Sequence, residues 1–134
     1  MENLITSEDI YNNLNIDLAS RLNVTGQANA TIVVNNYITE RQDEIVEYLA
    51  LHNYDGRMQA EMFFTDELYT DDLKRAILQQ VRYVLDNSDM NYGGILMQGG
   101  GIQKLSIQER ITAMISPKAH LILANAGMLY CGRV

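Results

Sequence analysis

A glycine-rich stretch is the first candidate for chemistry in this sequence. Residues 92–106 read YGGILMQGGGIQKLS, in which five glycines surround a short apolar run. Gly94 and Gly99 have the separation of the two glycines in a phosphate-binding loop of the form GxxxxGK[ST]. Gly100 and Gly101 occupy the positions of the lysine and the hydroxyl residue, which contact phosphate and metal. The stretch therefore lacks the side chains that carry the chemistry, and we do not predict a phosphate site.

Two further groupings have the residue types of a catalytic or metal site. Ser116 and His120 are four residues apart, a spacing that places a nucleophile and its base on one helix face. Ser116 also stands directly before Pro117, where a serine caps a helix and makes a poor nucleophile. His52 and the single cysteine, Cys131, have no second ligand at metal-binding spacing. We predict no catalytic residue, no metal and no cofactor, and we interpret both histidines as core or helix-surface residues.

Clustered carboxylates are the third candidate. One cluster contains Asp43, Glu44 and Glu47, and another lies within residues 66–72. Carboxylates can hold a hard cation, but acids on a solvated helix face or in the first turn of a helix give the same pattern. We interpret both clusters as solvated side chains that pair with helix dipoles.

The charge of the chain bounds its partners. Its 17 acidic and 10 basic side chains give a net charge of −7, which argues against binding nucleic acid by neutralising phosphates. Residues 1–89 carry 16 acidic and 6 basic side chains, whereas residues 90–134 carry one acidic and four basic ones. A chain polarised in this way could orient against a charged partner or against copies of itself.

Length and hydropathy suggest one domain without a membrane segment. A chain of 134 residues can bury one modest core. The N-terminus lacks the basic start and apolar run of a secretory signal, and no stretch approaches the roughly 18 apolar residues of a membrane span. We expect a protein made in the cytoplasm.

Four segments have the periodicity and the end signals of helices. The first begins at Thr6 and Ser7 and is predicted to run to Leu22, since apolar residues recur every four positions. A longer helix is predicted over residues 28–52 and another from a cap at Thr70 to residue 86. The last has Ser116 as its cap and Gly127 as its left-handed end, and it is apolar nearly all round, which predicts burial inside the domain or between subunits.

The remaining segments complete the predicted fold. A turn at residues 53–56 precedes a helical or irregular link, and residues 106–109 fit a capping box that opens a short helix. Two short strands, Ile95 to Met97 and Ile102 to Leu105, could form a β-hairpin. We predict a mainly α fold: a single domain, residues 1–134, formed by a small bundle of four to five helices. It carries a long glycine-rich loop, mobile over about residues 91–105, and an extended C-terminal tail at residues 127–134.

The glycine-rich loop is best interpreted as a segment that a partner orders. Glycine keeps the free backbone flexible, and Ile95, Leu96 and Met97 would find shelter against another surface, by strand addition or in a groove. The alternative is a linker whose apolar residues fold back on their own core.

The end of the chain, ISPKAHLILANAGMLYCGRV, resembles the end of the head-tail connector proteins of tailed phages, the adaptor (head completion) family that docks beneath the portal. The layout is also similar, with a capped first helix, a long acidic-faced helix, a second helix, a glycine-bearing loop and the Ser-Pro helix. The matching features of the motif are Ile115, Ser116, Pro117, Ala119, Leu121, Leu123, Gly127, Met128 and Leu129.

The resemblance implies a non-enzymatic structural subunit of the virion neck. Such a subunit forms a homo-oligomeric ring, dodecameric by resemblance, that binds the portal protein above and a stopper or tail completion protein below. DNA passes through the ring without specific binding. The loop residues Ile95, Leu96 and Met97 would then contact a neighbouring subunit or the next ring. The tail would contact the portal, through Met128, Leu129, Tyr130, Arg133 and Val134.

Two other readings of the sequence stay open. A small helical protein-protein interaction module, such as a regulator, would use the same apolar loop without any role in a phage particle. A helix-turn-helix DNA binder would need a basic recognition helix, and the segment after Thr70 has three basic residues without a second basic surface to support it.

Overall fold

A computed structural model describes residues 2–87, 95–98, 101–104 and 115–130, with the two short middle ranges described as backbone only. Over these ranges the chain is mainly helical, as predicted. The elements in chain order are α1 (Ser7–Leu14), α2 (Leu18–Arg21), α3 (Ala30–Leu51), α4 (Gly56–Thr65), a 3-10 turn (Glu67–Tyr69), α5 (Thr70–Asp86), β1 (Ile95–Gln98), β2 (Gly101–Lys104) and α6 (Pro117–Asn125).

The first predicted helix is two helices, and the prediction of one helix to Leu22 was wrong. α1 begins in a capping box, in which Thr6 accepts from the backbone N–H of Asp9 and the Asp9 carboxylate accepts from that of Thr6. It ends because Asn15 adopts a left-handed conformation, φ 56°, which asparagine tolerates. Asp17 then caps α2. Hydrogen bonds from polar side chains to the local backbone therefore separate α1 from α2, although apolar residues recur every four positions through both.

α3 is the long helix that the sequence predicted. It spans 22 residues and begins at Ala30, so its β-branched run is helical from the start. Its apolar stripe supplies the centre of the core, where Ile38, Ile45 and Leu49 are fully buried.

The link between the two main helices is itself ordered. α4 follows the turn at residues 53–56 and buries Ala60, Phe63 and Phe64. The 3-10 turn continues directly into α5, and Asp66 caps that turn by accepting from Leu68 N–H at 3.0 Å. The predicted cap at Thr70 is therefore absent, because Thr70 already lies inside a continuous helical run.

α6 has the predicted ends. Ser116 accepts from Ala119 N–H at 3.3 Å, Pro117 is the first helical residue, and Gly127 follows the helix with φ 78°. Ala119 and Leu123 are buried in the domain, whereas Leu121 is 58% exposed. Among the described residues, α6 therefore contacts the core with one face, and the predicted burial of its other face between subunits stays a prediction.

β1 and β2 pair antiparallel, with Ile95 opposite Lys104 and Gln98 opposite Gly101. The hairpin lies where the sequence suggested two strands. The short helix predicted after the capping box at residues 106–109 lies outside the described residues.

The helices surround one core. α3 and α5 pack together at its centre, α4 packs mainly on α3, α6 packs on α5, and α1 and α2 cover the other end of α3. Buried apolar residues from Ile5 to Leu129 form one cluster. Within the described ranges, no helix has the length and apolar character needed to cross a membrane.

Candidate protein-interaction surfaces

The outer side of α4 exposes large apolar side chains. Met58 is 68% exposed and Met62 56%, and they lie one helical turn apart, opposite the buried Phe63 and Ala60. Tyr54, in the turn before α4, is also 68% exposed. We call Tyr54, Met58 and Met62 the α4 face. Methionine adapts to varied partner shapes, and clustered exposed apolar groups mark interaction sites.

Acidic side chains flank the C-terminal part of the α4 face. Glu61 precedes Met62 and forms an exposed ion pair with Arg57 at 3.1 Å. Asp66 and Glu67 follow the helix and are exposed. Asp66 caps the 3-10 turn and Glu67 lies in its first turn, so the start of the next helical run favours both carboxylates, which add negative charge beside the α4 face.

A groove between α1, α5 and α6 is the second candidate surface. It is an open cavity of about 400 Å³, and its apolar lining consists of Leu14, Leu78, Leu121 and Ile122. Arg75 of α5 and Lys118 of α6 add basic groups to the lining, and both are exposed. We call this cavity the α6 groove. Its chemistry suits an apolar group with acidic neighbours.

The C-terminal segment packs on the end of α3 instead of extending. Asn53 donates to the carbonyl oxygens of Met128 at 2.8 Å and Leu49 at 2.7 Å. The backbone N–H of Tyr130 donates to the carbonyl of His52 at 2.7 Å. Tyr130 is left-handed, φ 61°. The sequence predicted an extended tail, but these hydrogen bonds fold the segment back onto the end of α3 as far as Tyr130.

The predicted partner-contact residues have different environments. Met128 is fully buried and Leu129 is 9% exposed, so both belong to the core, while Tyr130 is 75% exposed. Arg133 and Val134 lie outside the described residues. Ile95, Leu96 and Met97 form most of β1, whose backbone alone is described. Among the predicted contact residues of the tail that the structure describes, Tyr130 is the exposed one.

An aromatic cluster supports Tyr130. The Tyr48 hydroxyl and His120 Nδ1 are hydrogen bonded, which joins α3 to α6. His52 Nδ1 donates to the Tyr48 carbonyl at 2.9 Å, and the His52 and Tyr130 rings meet edge to face at 5.5 Å. Burial raises the pKa of the Tyr48 phenol above its usual value. The two histidines, isolated in the sequence, thus join three segments.

A buried polar network contradicts the solvated reading of one acid cluster. The Glu44 side chain is only 14% exposed, and its Oε1 lies 2.8 Å from Arg41 Nε. Gln80 Nε2 donates to the same oxygen at 3.0 Å, and Gln80 Oε1 accepts from Ser116 N–H at 2.8 Å. Burial raises the pKa of Glu44 to about 7, against the lowering effect of the Arg41 guanidinium. The network fixes α3, α5 and the start of α6 to one another.

Sequence reasoning missed the network and the α4 face, although both leave a signal. Arg41 lies three residues after Ile38 and four before Ile45, inside the apolar arc of α3. In α4, apolar residues occupy both sides of the helix, although only one side packs on the core.

The described parts of the chain contain no group of three or more His, Cys, Asp or Glu residues arranged to hold a metal ion. Cys131 lies outside these parts. Comparison of the chain with protein-family models, with curated proteins and with solved structures gave no match.

Proposed function

We propose that this protein is a non-enzymatic structural subunit of a tailed-phage head-tail connector. In this role it forms a homo-oligomeric ring in the virion neck, binds the portal protein and links it to a stopper or tail completion protein. The observation that carries the proposal is the C-terminal segment, whose sequence resembles connector proteins and whose last described residue is presented on the surface.

The ends of α6 and the segment after it support the proposal. Ser116 and Pro117 begin α6, and Gly127 ends it. The chain then turns back onto α3 and places Tyr130 on the surface, against His52. A rigidly held aromatic side chain is a good anchor for a partner, since little conformational entropy is lost when it binds.

The surfaces of the domain also support a subunit that binds protein on several sides. The α4 face and the α6 groove lie on different helices, and Tyr130 adds a third site at the end of α3. A ring subunit needs at least two surfaces for its neighbours and further ones for the portal and the tail. The net charge of −7 suits a channel through which DNA passes without being held.

Co-sedimentation with the portal protein encoded in the same genome tests the proposal. We expect the wild type to move with the portal and negative-stain images to show rings stacked on it. Tyr130→Ala should weaken this binding, because it removes the anchor while its backbone bond to His52 remains. Tyr11→Ala is the matched control, since Tyr11 is 57% exposed on α1. Wild-type protein that stays at the top of the gradient beside an intact portal would refute the connector role.

A small helical interaction module is the second candidate function. The α4 face favours it, since an exposed methionine-containing face on a short helix also suits a single adaptable partner. This function predicts a stable low-order oligomer and one tight partner, whereas the connector predicts rings on the portal. Mass measurement of the purified protein alone and with the portal separates the two.

A further inference from the structure

We propose that the α4 face of one copy docks in the α6 groove of a second copy. The contact would join neighbouring subunits of the proposed ring, so this inference rests on the proposed function.

The groove combines apolar and polar lining residues, so it can accept an apolar side chain that has polar neighbours. Its floor contains Leu78, which is 8% exposed, and its wall contains Leu121, which is 58% exposed. Leu121 lies on the face of α6 that its own core leaves uncovered. An apolar side chain that enters the groove would cover Leu121 and would itself be removed from water, which favours binding.

Charge identifies the occupant. Arg75 and Lys118 line the groove, and Arg75 also forms an ion pair with Asp72 of its own helix at 3.3 Å. The acids Glu61, Asp66 and Glu67 flank the α4 face, and they outnumber Arg57, which pairs with Glu61 at 3.1 Å. The groove therefore offers positive charge around an apolar floor, and the α4 face offers negative charge around methionines. Both halves of this complementary pair belong to the same chain, which favours a second copy over an unrelated partner.

The two surfaces do not meet within one molecule. α4 packs mainly on α3, whereas α6 packs on α5 and the groove opens between α6, α5 and α1. A contact between two different surfaces is head-to-tail, so a pair of copies keeps one free groove and one free α4 face. Such contacts continue from copy to copy and close into a ring when the rotation between copies permits it.

Charge reversal provides a test in which the contact can be both broken and restored. The groove variant carries Arg75→Glu with Lys118→Glu, and the face variant carries Glu61→Lys with Glu67→Lys. Sedimentation velocity of each variant should show self-association at least roughly tenfold weaker than wild type, because like charges then meet across the contact. An equimolar mixture of the two variants should recover wild-type association. In the mixture, each groove can pair with an oppositely charged face.

The control variant, Lys74→Glu with Arg82→Glu, has the same net charge as the groove variant and places its changes elsewhere on α5, at exposed positions. It should associate at least roughly tenfold more tightly than the groove variant. Thermal unfolding of all variants establishes that they fold. If a variant fails to fold, Leu121→Asp alone replaces the groove variant and Met58→Asp the face variant, and each should lower self-association in the same way.

Several results would overturn the proposal. The wild type could stay monomeric up to its solubility limit, both folded variants could associate as tightly as wild type, or the mixture of the two variants could fail to recover wild-type association. Loss of portal binding in the groove variant with unchanged self-association would assign the groove to the portal instead, and the proposed function would stand. Recovery in the mixture without any portal binding by wild type would leave the self-association surfaces established and refute the connector role.

Discussion

At the scale of single residues, the most informative side chain is the buried carboxyl of Glu44. Its acid neighbours Asp43 and Glu47 are exposed, as the sequence suggested for the whole cluster. Glu44 differs because Arg41 on the same helix and Gln80 on α5 meet it inside the fold. The helical pattern of α3 can place Arg41 at the edge of the core. Gln80, which donates to Glu44 from 36 positions away, is not predicted in this way because its position depends on how α3 and α5 pack.

Glu44 makes the stability of the protein depend on pH near neutrality. Its pKa in the folded protein, about 7, lies above its ordinary value of 4.5. The folded state therefore binds more protons than the unfolded state between these values, and the free energy of unfolding falls as pH rises through this window. Glu44→Gln removes the titrating group. We expect the variant to gain on the order of 1–3 kcal/mol relative to wild type between pH 4.5 and 8.

Urea unfolding across this pH range measures the effect. The test is how the difference in unfolding free energy between the variant and wild type changes with pH, because replacing the protonated carboxyl by an amide adds an offset that does not vary with pH. Glu47→Gln, an exposed position on the same helix, should run parallel to wild type. Parallel curves for Glu44→Gln would show that its carboxyl has an ordinary pKa in the folded protein.

Asn53 is expected to hold the C-terminal segment in place. Its buried amide donates to Leu49 and Met128, so Asn53→Ala leaves a buried carbonyl of Met128 without this donor. We expect a loss of about 1–3 kcal/mol in the free energy of unfolding and faster hydrogen exchange at the Tyr130 amide. Asn13→Ala is the matched control, since Asn13 also donates to the carbonyl four residues earlier but is exposed. Equal losses in the two variants would contradict a special role for Asn53.

At the scale of elements, the sequence predicts α3, α5 and α6 well because each has a long apolar stripe or strong end signals. Ser116 and Gly127 define α6 from local chemistry alone. The break after α1 was missed because Asn15 and Asp17 act through bonds to their own backbone, which an apolar spacing does not record. The sequence also did not predict which face of α6 its own chain covers, since an apolar helix gives no sign of it.

Asn15 should tolerate glycine better than alanine. Its left-handed conformation costs a residue with a Cβ roughly 1–2 kcal/mol, which glycine avoids and asparagine partly offsets. We expect Asn15→Ala to lower the free energy of unfolding by about 1 kcal/mol and Asn15→Gly to leave it nearly unchanged. Asn12→Ala, at an exposed position inside α1, should be neutral or slightly stabilising. Urea unfolding of the three variants checks this, and a stabilising Asn15→Ala would mean that α1 and α2 can merge.

At the scale of the whole molecule, both the acidic and the basic part of the chain supply a basic side chain to the α6 groove. The acidic N-terminal part supplies Arg75 and the basic C-terminal part supplies Lys118, and folding places both beside the α6 groove. The location of this basic surface depends on the packing of α6 on α5, which the charge pattern of the sequence does not record.

The proposed head-to-tail contact predicts that self-association first strengthens and then weakens as the salt concentration rises. Copies with a net charge of −7 repel one another, and this long-range repulsion is largely screened by about 0.15 M salt, where the Debye length is about 8 Å. The close contacts between the groove and the α4 face are screened only at higher salt, near 1 M, where that length is about 3 Å. We therefore expect association to strengthen with the first added NaCl and then to weaken, in sedimentation velocity at fixed protein concentration.

The variants separate the two effects. Arg75→Glu with Lys118→Glu removes the attraction and increases the net negative charge, so its weak association should strengthen with salt throughout. Lys74→Glu with Arg82→Glu carries the same net charge but keeps the groove, and it should retain the weakening at high salt. A wild type whose association only strengthens would show that apolar burial alone holds the copies together, and the basic side chains of the α6 groove would then have no part in the contact.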